Sequence, residues 1–248
     1  MQTLYVDTEF PPSKWDLPEG KEFMAVRPSG KLIVGGAKRS DPRQGQIGDC
    51  YLIAALSMFF EDKDLEKVIH NLVQYDKGKV TLKFGGQLVV TDSFLPYDKA
   101  RLELLYGGST NVEELYVSFI EKAYAKHMGG YNKIIGGRSE EFLRSLFGGR
   151  CHVVENIQRY KFKVIQDAIM KYISEGFKVC LNAPRDDSRH AYSICIMEGK
   201  ILLRNPWAKD DLHDRTDGIN DGEYELEKKH IYVPYPSKSV HLGLWRQY

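Results

Sequence analysis

Cys50 stands at the point where a small, acidic turn, Gln44-Gly45-Gln46-Ile47-Gly48-Asp49, opens into an apolar run from Tyr51 to Phe60 broken only by Ser57. The pattern predicts a loop feeding a buried helix with the thiol at its N-terminus. Unpaired backbone N–H groups and the helix dipole at that position favour the thiolate, the form that attacks carbon. A lone cysteine is more commonly a small buried hydrophobe. The chemistry therefore depends on partners elsewhere in the chain.

A thiolate nucleophile needs a base and a group that orients the base, and neither has to be near in sequence. Of the seven histidines, His190 lies where the polar segment Ser188-Arg189 enters the alternating, β-branched run Ala191-Tyr192-Ser193-Ile194-Cys195-Ile196. That places it at the mouth of a strand, facing a cleft. Further on, Leu202-Leu203-Arg204-Asn205-Pro206-Trp207 reads as a strand closed by an amide and a proline stop. The Asn205 side-chain oxygen can accept the imidazole N–H and fix its tautomer, the orienting role of a triad. Trp207 is placed to roof that bond against water, or to serve as ordinary core packing.

These segments together, Gln44-Gly45 through Gly48-Asp49-Cys50, His190-Ala191-Tyr192-Ser193 and Arg204-Asn205-Pro206-Trp207, closely resemble the protease core of the calpains, which are papain-like cysteine endopeptidases. The resemblance continues in Glu121-Lys122-Ala123-Tyr124-Ala125-Lys126, in Asp7 with Phe10-Pro11-Pro12, and in Asp92-Ser93-Phe94-Leu95-Pro96. It runs in family order from about residue 5 to about residue 226. It implies an α+β, two-lobe papain-like core: a helical lobe, 1–148, carrying Cys50, and an antiparallel β-rich lobe, 149–248, carrying His190 and Asn205, with the active site in the cleft between them. It also implies that the Gln44 amide and the Cys50 backbone N–H form the oxyanion hole. Gly148, Gly149, Arg189 and Trp207 are the positions expected to border substrate, and Gly148-Gly149 is expected to act as a hinge.

Three positions depart from the family pattern. Tyr51 replaces a tryptophan, Arg189 replaces the glycine before the histidine, and Ala208 stands where glycine is usual. None removes a catalytic group, so they are read as tuning substrate choice.

The resemblance also implies calcium. Carbonyl donors at Val34 and Gly36 and carboxylates at Asp41 and Glu114 supply the hard oxygen ligands that Ca²⁺ prefers. A second site after Trp207, at Asp210, Asp211 and Asp214, is expected to fail, because Lys228, Lys229 and His230 occupy the distal segment where an acid is needed. One calcium per chain is expected.

Composition sets limits of its own. The chain has 248 residues, 35 Lys and Arg against 34 Asp and Glu, and a formal charge of +1. The charges are interspersed, so no nucleic-acid partner is expected. No apolar run is long enough to span a bilayer, and Met1 to Asp7 does not read as a secretory signal. Four cysteines without that signal are expected to be thiols in a reducing, cytoplasmic setting. Periodicity predicts helix over 50–75, 112–128 and about 163–175. It predicts a hairpin over 78–95 and strands at 151–157, 177–183, 190–197, 200–204 and 223–226. No calcium-binding β-sandwich or EF-hand is expected in this chain, and the sequence names no regulatory subunit. The leading expectation is an endopeptidase acting on protein or peptide substrates. A catalytically silent binding module and a papain-fold acyl transferase are the alternatives.

Overall fold

The computed structural model describes residues 4–17, 22–58, 65–185, 188–210, 219–232 and 239–247. Helix α1 (Cys50–Ser57) begins at the cysteine itself. All seven residues after Cys50 are buried, while Cys50 is half-buried. Phe59 and Phe60, expected to prolong the helix, lie outside the described residues.

The chain forms two compact units. One comprises 1–49 and 61–136, the other 50–60 and 137–248. The division thus falls at 136/137 rather than at 148/149. The helix that carries Cys50 groups with the β-rich segment, because its apolar residues pack on that segment's sheet.

The first unit is less helical than expected. It holds the strands β1 (Phe23–Val26), β2 (Pro42–Arg43), β3 (Gln74–Asp76), β4 (Lys79–Phe84), β5 (Gln87–Asp92), β6 (Leu95–Asp98), β7 (Glu103–Leu104) and β8 (Gly108–Ser109). These make small antiparallel sheets ordered β1-β6-β7, β2-β8 and β3-β4-β5. The β4–β5 hairpin turns at Gly85-Gly86, both with positive φ, as the glycine pair predicts. Strands of two to four residues carry too few side chains to show a period, which is why periodicity passes over them. Its helices are α2 (Leu65–Leu72) and α3 (Tyr116–Met128). The middle of α3 is wholly buried, Glu121 and Lys122 included, and the helix stops at Gly129 with φ 94°.

The second unit is built on an antiparallel sheet of β9 (Arg150–Val154), β10 (Lys178–Arg185), β11 (Ser188–Met197), β12 (Lys200–Arg204), β13 (Glu223–Glu225) and β14 (His241–Arg246), in the order β13-β12-β11-β10-β14-β9. Helices α4 (Ser139–Phe147) and α5 (Phe162–Ser174) complete it, with a short α6 (Lys228–Ile231). One face of the sheet presents Val179, Leu181, Ile194, Leu203, Leu242 and Leu244 to Ile165 and Ile169 of α5. Each such aliphatic side chain contributes about 1.5–3 kcal/mol when fully buried. Alternation gives the other face small groups, with Cys180 opposite both Ser193 and Gly243 and Asn182 opposite Ala191. α1 packs on β11 and α4 on β14. Gly243 is needed there, since a Cβ would come 2.1 Å from Glu140 Oε2. No helix among the described residues is long and apolar enough to cross a membrane.

Gly148 and Gly149 lie inside the second unit, not at the division between units, so they are not placed as a hinge. Gly148 closes α4, and its carbonyl accepts Trp245 Nε1–H at 2.7 Å. Gly149 has φ 86°, and a Cβ on it would meet the Arg246 carbonyl oxygen at 2.5 Å. Both contacts clamp the α4 terminus to β14. Gly149→Ala is expected to lower stability by about 2–4 kcal/mol, through left-handed strain and backbone overlap together. Urea denaturation would check this, and an unchanged midpoint would mean the turn relaxes freely.

Candidate active site

Cys50, His190 and Asn205 all belong to the second unit. Cys50 opens α1, which packs directly on β11, the strand that carries His190. The start of α1 is held from behind. Ser139 Oγ–H of α4 donates to the Tyr51 carbonyl at 2.8 Å, and Gly137 gives way to the Tyr51 ring, where a Cβ would sit 2.6 Å from the nearest ring carbon.

His190 is third in β11, opposite Ala183 of β10. Asn205 follows directly on β12, the neighbouring strand. His190 is 4% exposed and Asn205 fully buried, and His190 Nε2 lies 3.0 Å from Asn205 Oδ1. The Trp207 backbone N–H also donates to that oxygen, at 3.1 Å. A donor from the main chain identifies this atom as the amide oxygen, since an NH₂ there would oppose it. An oxygen can only accept, so Nε2 must carry the proton of the neutral ring. The lone pair is therefore on Nδ1, the nitrogen that can take a proton from a thiol. The indole of Trp207 lies over the ring, centroids 4.6 Å apart at 44°, and Tyr192 meets it edge-on at 4.9 Å and 84°. Tyr192 was not among the candidate site residues, although its place two residues after His190 on the same strand face puts it beside the ring.

The Asn205 turn is tied at both ends. Its N–H donates to Gly222 O at 2.7 Å, and the Ala208 N–H donates back to Asn205 O at 2.9 Å. Ala208 adopts φ 51°, which explains why glycine suits that position. A side chain in this left-handed region costs roughly 1–2 kcal/mol.

Arg189 does not extend freely into solvent. Its Nη2 donates to Ser239 Oγ at 3.1 Å and its Nη1 lies 3.5 Å from His241 Nδ1. Burial first, and then the Arg189 charge, push His241 down to about 4, so the ring stays neutral beside the guanidinium. Of the expected substrate-bordering residues, Trp207 is 38% exposed and touches the histidine, whereas Gly148 and Gly149 are engaged with β14.

Gln44 stands on the loop by which the chain first leaves the first unit. Its Nε2 donates to Ile47 O at 2.6 Å, which spends one of its two hydrogens. Gly45 lets that loop lie against Tyr106, whose backbone carbon would be 2.3 Å from a Cβ.

Within the first unit, Asp41 and Glu114 come together, both nearly buried. Glu114 Oε1 accepts the Val34 N–H at 3.0 Å and Oε2 accepts Ser109 Oγ–H at 2.7 Å. Burial raises the Glu114 carboxyl above its ordinary range, and the nearby Asp41 raises it further. Two like charges drawn together in this way fit a donor set for a hard cation. Gly36 has φ 87°, and a Cβ on it would come 3.9 Å from Glu66 Oε2. Side chains alone do not complete a site, because no cluster of three or more His, Cys, Asp or Glu suited to a metal occurs among the described residues. In the other unit Asp210 braces its own loop, accepting Gly222 N–H at 2.8 Å, while Asp211 and Asp214 lie outside the described residues.

Residues 5–216 match the family model described as calpain family cysteine protease. The chain belongs to the calpain family of cysteine proteases. It is 30% identical to calpain-9 of Mus musculus over 84% of its length, and 28% identical to a calpain of Schistosoma mansoni over 94%. It is 25% identical, over its whole length, to the calpain-type cysteine protease DEK1 of Arabidopsis thaliana. The chain spans only 35%, 36% and 13% of those three relatives.

The four cysteines form no disulfide. Cys180 is pushed up to about 12 by burial and then by Glu140, and Cys195 is buried. Iodoacetamide at neutral pH is therefore expected to label Cys50 at least tenfold faster than Cys151, Cys180 or Cys195. Equal labelling by peptide mass mapping would remove Cys50 from the nucleophile's role. His190→Ala is expected to cut turnover by roughly a hundredfold to ten-thousandfold. Asn205→Ala should cost less, since it loosens the base without removing it.

Proposed function

We propose that this chain is the catalytic core of a calcium-regulated cysteine endopeptidase that cleaves protein or peptide substrates through an acyl-enzyme, working in the cytoplasm. The papain-like two-lobe arrangement of the family resemblance is part of that proposal. The observation that supports it most is the His190–Asn205 bond on the sheet against which the Cys50 helix packs.

In this reading the Cys50 Sγ–H gives its proton to His190 Nδ1, and the thiolate attacks the scissile carbonyl carbon. The oxyanion so formed accepts from the Cys50 backbone N–H at the start of α1 and from the second hydrogen of Gln44 Nε2. The imidazolium then returns its proton to the leaving amine as the C–N bond breaks, which leaves a thioester. Water, deprotonated by His190, attacks the thioester and restores the thiol. Asn205 holds the ring through both transfers, and Trp207 shields their bond from water. Gly148, Gly149, Arg189 and Trp207 border the substrate.

Asp41 and Glu114, with the carbonyls of Val34 and Gly36, are the residues that would hold calcium. The ion supplies charge neutralisation to two buried carboxylates, which otherwise repel. Affinity follows how well the bound form is preferred, since a ligand shifts only states it binds unequally.

Hydrolysis of an unfolded protein substrate, with calcium and with chelator, tests the whole reading. Activity is expected with calcium and at least tenfold less without it. No hydrolysis in either condition, with Cys50 still alkylable, would favour a binding module. Asp41→Ala and Glu114→Ala should each abolish calcium uptake by calorimetry. Gln44→Ala is expected to lower turnover by roughly a hundredfold to a thousandfold with KM little changed. A rise in KM alone would place Gln44 in substrate binding instead.

A further inference from the structure

The residue just before the nucleophile has a side chain whose role the mechanism above does not use. Asp49 is fully buried in the first unit, and it faces Glu121 of α3, itself 1% exposed. Glu121 Oε1 accepts the Gly107 N–H at 2.8 Å. Asp49 has its own backbone amide beside it, and among the described residues no other residue's N–H or O–H donates to either of its carboxyl oxygens.

Among the described residues, every titratable group facing the pair is either neutral or negative, or has its charge engaged elsewhere. Tyr106, from the segment after β7, and Tyr131 lie over them with ring centroids 4.5 Å apart, and the buried Tyr131 hydroxyl has no partner among the described residues. Asp16 bears on Tyr106, and Asp92 bears on Tyr131. The neighbouring cation, Lys122, gives its three N–H groups to Asp92 Oδ1, Asp92 O and Phe94 O. Two ionised carboxylates in contact, out of water and with no cation to neutralise them, are too costly to persist. A proton between them removes one charge and makes one strong O–H···O bond.

We propose that Asp49 and Glu121 share a single proton at neutral pH, and that this acid pair is the positioning element that fixes the backbone entering Cys50. The inference rests on the reading of Cys50 as nucleophile. Burial pushes Asp49 up to about 6 and raises Glu121 well above its usual range, and Asp49 raises Glu121 further, as sharing requires. The rest of the loop is already tied down. Gln46 N–H donates to Leu105 O at 3.0 Å, and Gly136 N–H donates to Gly48 O at 2.8 Å. Asp49 is therefore the last tether before the peptide bond at which the chain leaves the first unit for the second. It is a positioning residue, with no contact to substrate required.

The sign of the pH dependence follows. Both folded values are raised, so the stabilisation is complete below the ordinary carboxyl range and is lost as pH rises through the pair's own values.

The test uses the full chain with Glu121→Gln, Asp49→Asn and Glu121→Ala. Infrared difference spectra at pH 7 are expected to show a protonated-carboxyl stretch that disappears in Glu121→Gln and in Asp49→Asn. The urea midpoint should fall from pH 5 to pH 8 in the parent and fall by less than half as much in Glu121→Gln, whose amide donates without titrating. Cys50 alkylation should stay within threefold of the parent in Glu121→Gln and drop at least tenfold in Glu121→Ala. If Glu121→Ala does not fold, the infrared band and the Glu121→Gln slope decide alone. Absence of the band, with parallel pH slopes, overturns the shared proton. Slow labelling of Cys50 in the parent itself would instead count against Cys50 as nucleophile.

Discussion

The second unit depends on one buried oxygen atom. Asn205 Oδ1 accepts from His190 Nε2 and from the Trp207 backbone N–H, and its residue is wholly out of water. An amide oxygen with two acceptor sites is thereby saturated, and neither donor can leave without being orphaned at a cost of about 1–3 kcal/mol. That bond orients the imidazole and selects its tautomer. It also requires β11 and β12 to be neighbours and the chain to turn sharply after Asn205. The turn accepts strain at Ala208, and the ties to Gly222 and Ala208 hold it. Helix α1 then needs only to lie on β11 for its first residue to belong to the same constellation.

The first unit is held by a different principle, in which buried or half-buried lysines are matched to carboxylates. Lys122 serves Asp92, and Lys126 serves Asp7 and Glu9. Burial alone would raise Asp7, but the Lys126 bond and the Glu9 and Phe10 amides outweigh it and hold it low. Breaking such a pair leaves an uncompensated buried ion, worth about 3–5 kcal/mol. The stretch Glu121 to Lys126 thus carries two buried or half-buried cations, Lys122 and Lys126, and one buried carboxyl, Glu121, on a single helix. A helix of this kind tolerates few substitutions, although it includes none of the residues assigned to the reaction.

The sequence disclosed what has a strong local signature. The cysteine at the head of an apolar run, the β4–β5 hairpin at Gly85-Gly86, the amphipathic α5 and the strands β10 to β13 were all readable from periodicity and turn residues. Asn205 was readable because a proline follows it. The lobe 1–148 reads as helical although it holds β1 to β8, since two-residue strands such as β2 and β7 have no period to detect. β14 was missed although it pairs with both β9 and β10. Its His-Leu-Gly-Leu-Trp-Arg run is broken by a glycine that exists for Glu140 and Cys180, contacts from distant parts of the chain. The division between units and the Asp49–Glu121 contact share that origin: long-range pairing leaves no trace in a short window.

The order in which the two units use the chain bears on biosynthesis. The chain leaves the first unit after residue 49, returns to it after residue 60 and leaves it finally at 136. A ribosome therefore releases the apolar helix bearing Cys50 long before β11, the strand it packs on, has been translated. Until residues 188–205 emerge, neither His190 nor Asn205 is present. On the proposed reading, the thiol lacks its partners throughout most of its own synthesis. The same interval leaves seven core side chains of α1 without their sheet, and nascent-chain chaperones are expected to engage them there.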